Sequence, residues 1–138
     1  MKKTIVFLTF AAILVISCAK KPAKQEMVQF SSLEVEVSFE KQSRILNANR
    51  KFYISELYNI DENGNRSIGD KIPVSEIFSR SELELTNGWL HAATVVIEGE
   101  YCLKLDFEEN NSGKRRICEV LVDYPISGRR IHITQNSR

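Results

Sequence analysis

Polar and apolar side chains alternate one by one through most of this chain, and that constrains its fold more than any other feature. Leu33, Val35, Val37 and Phe39 are interleaved with Glu34, Glu36, Ser38 and Glu40, which gives an extended segment one wet face and one face to be buried. The pattern returns at Leu83 and Leu85 between Glu82 and Glu84, and again at Tyr101, Leu103, Leu105 and Phe107. Residues 50–60 (RKFYISELYNI) are rich in aromatic and branched side chains, but their phase slips. Phe52 and Ile54 share a face that Leu57 leaves, so a bulge is expected near Ser55-Glu56. Asn63-Gly64 within 61–65 predicts a tight hairpin turn, and Asn87-Gly88 a second turn. An apolar run from Ala92 to Ile97 ends at Gly99, and the polar turn at 110–113 leads into strands over 117–124 and 130–134. The one non-extended element expected is a short helical connection over 73–80, capped by Ser75 with Ile77 and Phe78 inward. Six to eight short strands with turns between them predict an all-β antiparallel sandwich, immunoglobulin-like or transthyretin-like, with at most one short helix.

The first residues follow a different logic. Lys2 and Lys3 are followed by an apolar run from Ile5 to Ile16 and then by Val15-Ile16-Ser17-Cys18, a small-residue cleavage site that ends in a thiol. The run is shorter than the ~20 residues a membrane-spanning helix needs. This segment resembles the lipobox of bacterial lipoproteins. The resemblance implies that the bond before Cys18 is cut and that Cys18 carries the acyl chains. Each buried methylene contributes about 0.8 kcal/mol, so two or three such chains, palmitate among them, hold a protein at a bilayer with no spanning helix. In Gram-negative members an Asp directly after the cysteine tends to retain the protein in the inner membrane. Here that position is Ala19, so the resemblance implies the outer membrane of the cell envelope.

Removing residues 1–17 from 138 leaves 121, enough for one domain. Residues 18–26 then read as the lipidated cysteine and a tether, with Lys20, Lys21, Pro22 and Lys24 and no apolar pattern. Residues 27–138 form the single sandwich domain. With Lys2 and Lys3 gone, 17 of the 19 basic residues face 18 acidic ones. That balance gives no reason to expect a nucleic-acid partner.

Of three cysteines, Cys102 and Cys118 remain in an exported chain, and compartment and spacing predict a disulfide between them. Closing its 15-residue loop would contribute on the order of 3 kcal/mol. A hairpin of the two strands raises a conflict, however. Setting Cys102 opposite Cys118 pairs Val120 and Val122 with Glu100 and Glu98. Matching Tyr101, Leu103 and Leu105 with Val122, Val120 and Cys118 instead leaves Cys102 on the other face. A one-residue slip flips a strand's whole apolar set, so either a bulge reconciles the two or the thiols stay unpaired.

The sequence offers little chemistry. His91 and His132 each lack a second His at ligand spacing and read as edge or surface residues. Asp61, Asn63 and Asn65 imitate the start of a calcium loop, but Arg66 stands where its Gly is needed and Ile72 where its Glu is needed, so a hairpin turn explains them better. No phosphate-binding glycine loop, nucleophile elbow or His-Glu helix occurs. No catalytic residue, metal or cofactor is expected. Two surface features remain. Lys114, Arg115 and Arg116 would join Arg129 and Arg130 in one cationic face if the last two strands are neighbours, or else serve to protect exposed strand edges. Trp89, the only tryptophan, follows Asn87-Gly88 and is either an anchor for a partner or a core plug.

These features describe a non-catalytic, lipid-anchored module that binds an envelope or host protein. Its anchor, size and strand pattern are similar to the transthyretin-like lipoproteins of secretion machines, a likeness that carries over no residue. A small disulfide-stapled enzyme inhibitor and a surface adhesin are the alternatives. The anchor is tested directly. Cys18→Ser should release the protein from membranes on fractionation, and sedimentation with envelopes after a high-salt wash would overturn the assignment.

Overall fold

The computed structural model describes residues 27–71, 76, 81–85, 88–123 and 128–138, with Asp70 and Lys71 described by their backbone alone. Among these residues the chain forms nine strands: β1 (Glu34–Val37), β2 (Gln42–Asn47), β3 (Ile54–Ile60), β4 (Arg66–Lys71), β5 (Glu82–Glu84), β6 (Leu90–Ile97), β7 (Glu100–Phe107), β8 (Arg116–Val122) and β9 (Arg129–Gln135). They make two sheets, ordered β1-β9-β8-β3-β4 and β2-β7-β6-β5. The sheets pack as a sandwich. Every pairing is antiparallel except β1 with β9, which is parallel and places Val35 beside Ile133. The helical connection expected over 73–80 lies, apart from Glu76, outside the described residues, as do residues 1–26, where a signal peptide and tether are expected.

Alternation decides which side chains lie between the sheets. From the four-stranded sheet Leu46, Leu83, Leu90, Ala92, Leu103, Leu105 and Phe107 point inward. From the five-stranded sheet come Val35, Val37, Ile54, Leu57, Cys118, Val120, Val122, Ile131 and Ile133. Phe52 closes the core below Phe30, ring edge to face at 4.9 Å. The phase slip in β3 is a bulge, as the sequence requires: Ile54 pairs with Val122 but Glu56 with Leu121, a shift across Ser55 that brings Leu57 back to the inner face opposite Val120. A second irregularity between Leu57 and Tyr58 faces β4 at Gly69, where an added Cβ would overlap the buried side chain of Leu85. The β6–β7 hairpin turns on Glu98 and Gly99, with φ of 52° and 81°. Two successive positive φ values are what a two-residue hairpin that follows the strand twist demands.

β2 has no counterpart among the strands read from the sequence. Its segment QSRILN places Ile45 on the outer face, 42% exposed, next to buried Leu46, so alternation is hard to see there. Ladder bonds to β7 hold it in place instead.

The expected disulfide is corrected. β7 and β8 are not a hairpin; they belong to different sheets, and residues 108–115 cross from one to the other. Cys118 faces the core. Cys102 is on the outer face of its own sheet, where its Sγ lies 3.4 Å from Asn47 Oδ1. Both are free thiols, buried on opposite sides of the four-stranded sheet's backbone. Burial pushes the Cys118 thiol far above its ordinary range. Alkylation in denaturant without reductant should therefore label both Cys102 and Cys118, and reductant should leave the thermal midpoint unchanged. A drop in midpoint on reduction would reinstate the bridge.

Candidate functional site

The crossover from β7 to β8 builds one end of the sandwich. Its anchor is Asn110, fully buried. The backbone N–H of Asn110 donates to Phe39 O (2.7 Å), and its side-chain Nδ2 donates to Lys114 O (2.8 Å) and Asn136 O (3.1 Å). Its Oδ1 accepts from the Ser112 hydroxyl (2.6 Å), which in turn accepts from Lys114 N (3.3 Å). Gly113, at φ 74°, completes the turn. Residues 114–116 are thereby delivered to the mouth of the sandwich in fixed order.

Opposite them stands the β3–β4 turn. Asp61 Oδ1 accepts from Asn63 N (2.9 Å) and Asn65 N (2.8 Å), and Asp61 Oδ2 accepts from Asn65 Nδ2 (2.9 Å). The bond from the Asn65 side chain, foremost, holds the Asp61 carboxyl below its usual range. Its oxygens are thus spent on their own turn, the hairpin that the sequence favours over a calcium loop.

Between these two loops opens a cleft of about 440 Å³, lined by Asn59, Ile60, Asp61, Glu62, Asn63, Trp89, Lys114, Arg115, Arg116 and Ile117. An adjoining depression of about 270 Å³ shares six of these residues. Lys114 Nζ bonds Glu62 Oε1 across the mouth at 2.8 Å, which raises the lysine pKa. Arg116 stacks on the Trp89 ring, 5.7 Å from its centroid, and its Nη1 donates to Gln135 Oε1 (3.3 Å) and Glu109 O (3.4 Å). Its partners are neutral. Arg115 is exposed and makes no hydrogen bond or ion pair among the described residues. Two guanidiniums therefore face the cleft with no carboxylate against them.

Each residue singled out from the sequence that lies among the described ones has a place, whereas Cys18 lies outside them. Trp89 is not a protruding anchor: only 3% exposed, it packs on Phe107 at 6.4 Å and forms the cleft's inner wall. The single cationic face is also corrected. β8 and β9 are neighbours, but they run antiparallel, so Arg116 pairs with Gln135 while Leu121 and Val122 pair with Arg130 and Arg129. Five residues of strand, roughly 17 Å, separate the two basic groups. Arg130 serves a different network on the outer face of the five-stranded sheet. There Glu119, its side chain 9% exposed, takes two bonds of 2.9 Å from Arg66, with Arg130 Nη1 at 3.9 Å and His132 Nδ1 at 3.7 Å. His91 sits on the far side of the molecule between Glu82 (3.4 Å) and Asp106 (3.7 Å), whose carboxylate also accepts from Ser43. Among the described residues no group of His, Cys, Asp and Glu has the arrangement of a metal site, and no helix is long and apolar enough to cross a membrane. Asn63 is read from the sequence only as a turn residue, and Asn59, Ile60 and Ile117 are not singled out there. The register Ile60–Ile117 that joins them exists only once β3 and β8 are known to pair.

No known sequence family matches the chain, and no curated protein does. Among solved structures it is similar to an NMR structure of a protein from Bacteroides thetaiotaomicron, with a TM-score of 0.56 at 18% identity. The alignment spans 88% of this chain and 98% of the other. That likeness is one of fold.

The Glu119 network makes a pH prediction. The hydrogen bond from Arg66 lowers the Glu119 pKa from its ordinary 4.5, against the opposing effect of burial. A depressed carboxylate stabilises the fold above its unfolded pKa, and that stabilisation is lost as pH falls through the folded value. Glu119→Gln should therefore melt below the parent at pH 7, with the gap closing as the pH falls below about 4.5. Parallel melting curves over pH 3–7 would check this, and a gap constant with pH would contradict it.

Proposed function

We propose that this chain is a lipid-anchored, non-catalytic lipoprotein of the bacterial envelope, placed at the outer membrane, whose sandwich binds another protein. The observation that carries the binding half is the cleft at 59–63 and 114–117, where Arg115 and Arg116 stand without counter-charges. Charged groups left uncompensated on a surface depression steer and orient a partner of the opposite sign. The anchor half rests on the resemblance of Val15-Ile16-Ser17-Cys18 to a lipobox.

The two halves fit one another. Residues 29–31 run beside 47–49, and Ala48 N donates to Tyr101 O, so the chain enters the sandwich at the start of β7. The cleft lies beyond the other end of β7, where Glu108 N donates to Trp89 O. A strand of this length spans roughly 20 Å or more. The amino-terminal end of the sandwich and the cleft therefore lie at opposite ends of β7. The inhibitor reading leaned on a stapled loop, and two free thiols remove that footing.

Partner capture with the full chain in detergent micelles should recover one or more envelope proteins above background. The same experiment with Arg115→Gln and Arg116→Gln together should lose them. Eluates free of specific protein would overturn the binding reading.

A further inference from the structure

The reading of a protein-binding cleft leaves its ligand chemistry open, and the groups lining it narrow the choice. Three cations, Lys114, Arg115 and Arg116, meet two acids, Asp61 and Glu62. Glu62 is held by Lys114 and Asp61 by its own turn, so the charge left over is that of the two guanidiniums. A guanidinium presents its N–H groups in a planar fork that matches a carboxylate.

Two further observations separate a peptide from other anions. Asn59 and Asn63 line the same cleft, and neither carboxamide has a hydrogen-bond partner among the described residues. Each offers both a donor and an acceptor, the complement of a backbone amide. Ile60 and Ile117, paired across β3 and β8, lie half-buried on the sheet face opposite Asn59 and add an apolar shoulder at the outer rim of the cleft. A planar base gains nothing here, because Arg116 covers one side of the Trp89 ring and Phe107 packs against it from the core. A densely charged polyphosphate meets Asp61 and Glu62 at the rim.

We infer that the cleft binds an acidic peptide segment of the partner: one Asp or Glu carboxylate on Arg115 and Arg116, the neighbouring backbone amides on Asn59 and Asn63, and an adjacent apolar side chain on Ile60 and Ile117. This rests on the protein-binding reading above and sharpens it.

Trp89 is the only tryptophan in the chain, so its emission reports this wall of the cleft alone. The full chain in detergent micelles is titrated with a blocked Ala-Glu-Leu-Ala peptide, with its Gln isostere, and with inorganic phosphate. The Glu peptide should shift the emission saturably and weaken as salt rises. The isostere and phosphate should bind at least tenfold more weakly. Arg115→Gln, which removes an exposed side chain with no partner and so spares the fold, should weaken the Glu peptide at least tenfold, whereas Arg130→Gln should leave it unchanged. Equal binding of the isostere, tighter binding of phosphate, or indifference to Arg115→Gln each overturns the ligand assignment. Partner capture that survives in that case leaves the broader binding reading standing, and loss of both sinks the two together.

Discussion

The buried carboxamide of Asn110 is the interaction on which the architecture turns. A chain leaving β7 has two options: fold back as a hairpin in the same sheet, or cross the mouth of the sandwich to the other. Asn110 takes the second option by satisfying backbone groups from three segments at once, the 38–40 turn, the crossover itself and the carboxyl-terminal residues. Leaving any one of those buried groups unpaired costs about 1–3 kcal/mol. Without that polar knot the crossover would expose or orphan its backbone, β8 would lose its place beside β3, and residues 114–116 would have no fixed position.

The cleft follows from the same geometry. It is the gap left where two loops, each tied internally by an Asn or Asp side chain, meet at the end of two packed sheets. Both loops satisfy their own polar atoms first, Asp61 through its amide donors and Asn110 through its carbonyl acceptors. The residues that remain unspoken for are those that project from the loops, and they are mainly cationic. Several charges elsewhere on the surface are paired: Glu119 gathers Arg66, Arg130 and His132, and Lys41 meets Glu108 at 3.0 Å.

Much of the sandwich is legible in the one-dimensional pattern, because alternation is a direct record of which residues face the core. The bulge at Ser55 is visible for the same reason: Leu57 is out of phase with Ile54, and only an extra residue repairs it. Sheet membership is not recorded in this way. The strands at 101–107 and 117–122 both alternate correctly and are separated by a good turn, so a hairpin is the natural expectation, and the disulfide follows from it. The sign of trouble was the register conflict: no pairing satisfied the thiols and the valines together, which is what two strands in different sheets would produce. β2 leaves a weak trace because exposed Ile45 stands next to buried Leu46 and breaks the alternation. The cleft was half legible. Its cations stand out as a run and Asn63 as part of a turn, whereas Asn59 and the two isoleucines gain meaning only from cross-strand register.

The parallel pairing of β1 with β9 joins the first strand of the domain to the last. β9 is sandwiched between β8 and β1, so Val35 and Val37 find their neighbours only after Ile131 and Ile133 exist. During synthesis the amino-terminal strand must wait, unpaired, until nearly a hundred further residues have followed it. Closure of such distant ends is slow by its nature. A chain built like this stays threadable until its ninth strand has been made, and becomes a folded body only once that strand is in reach of the first.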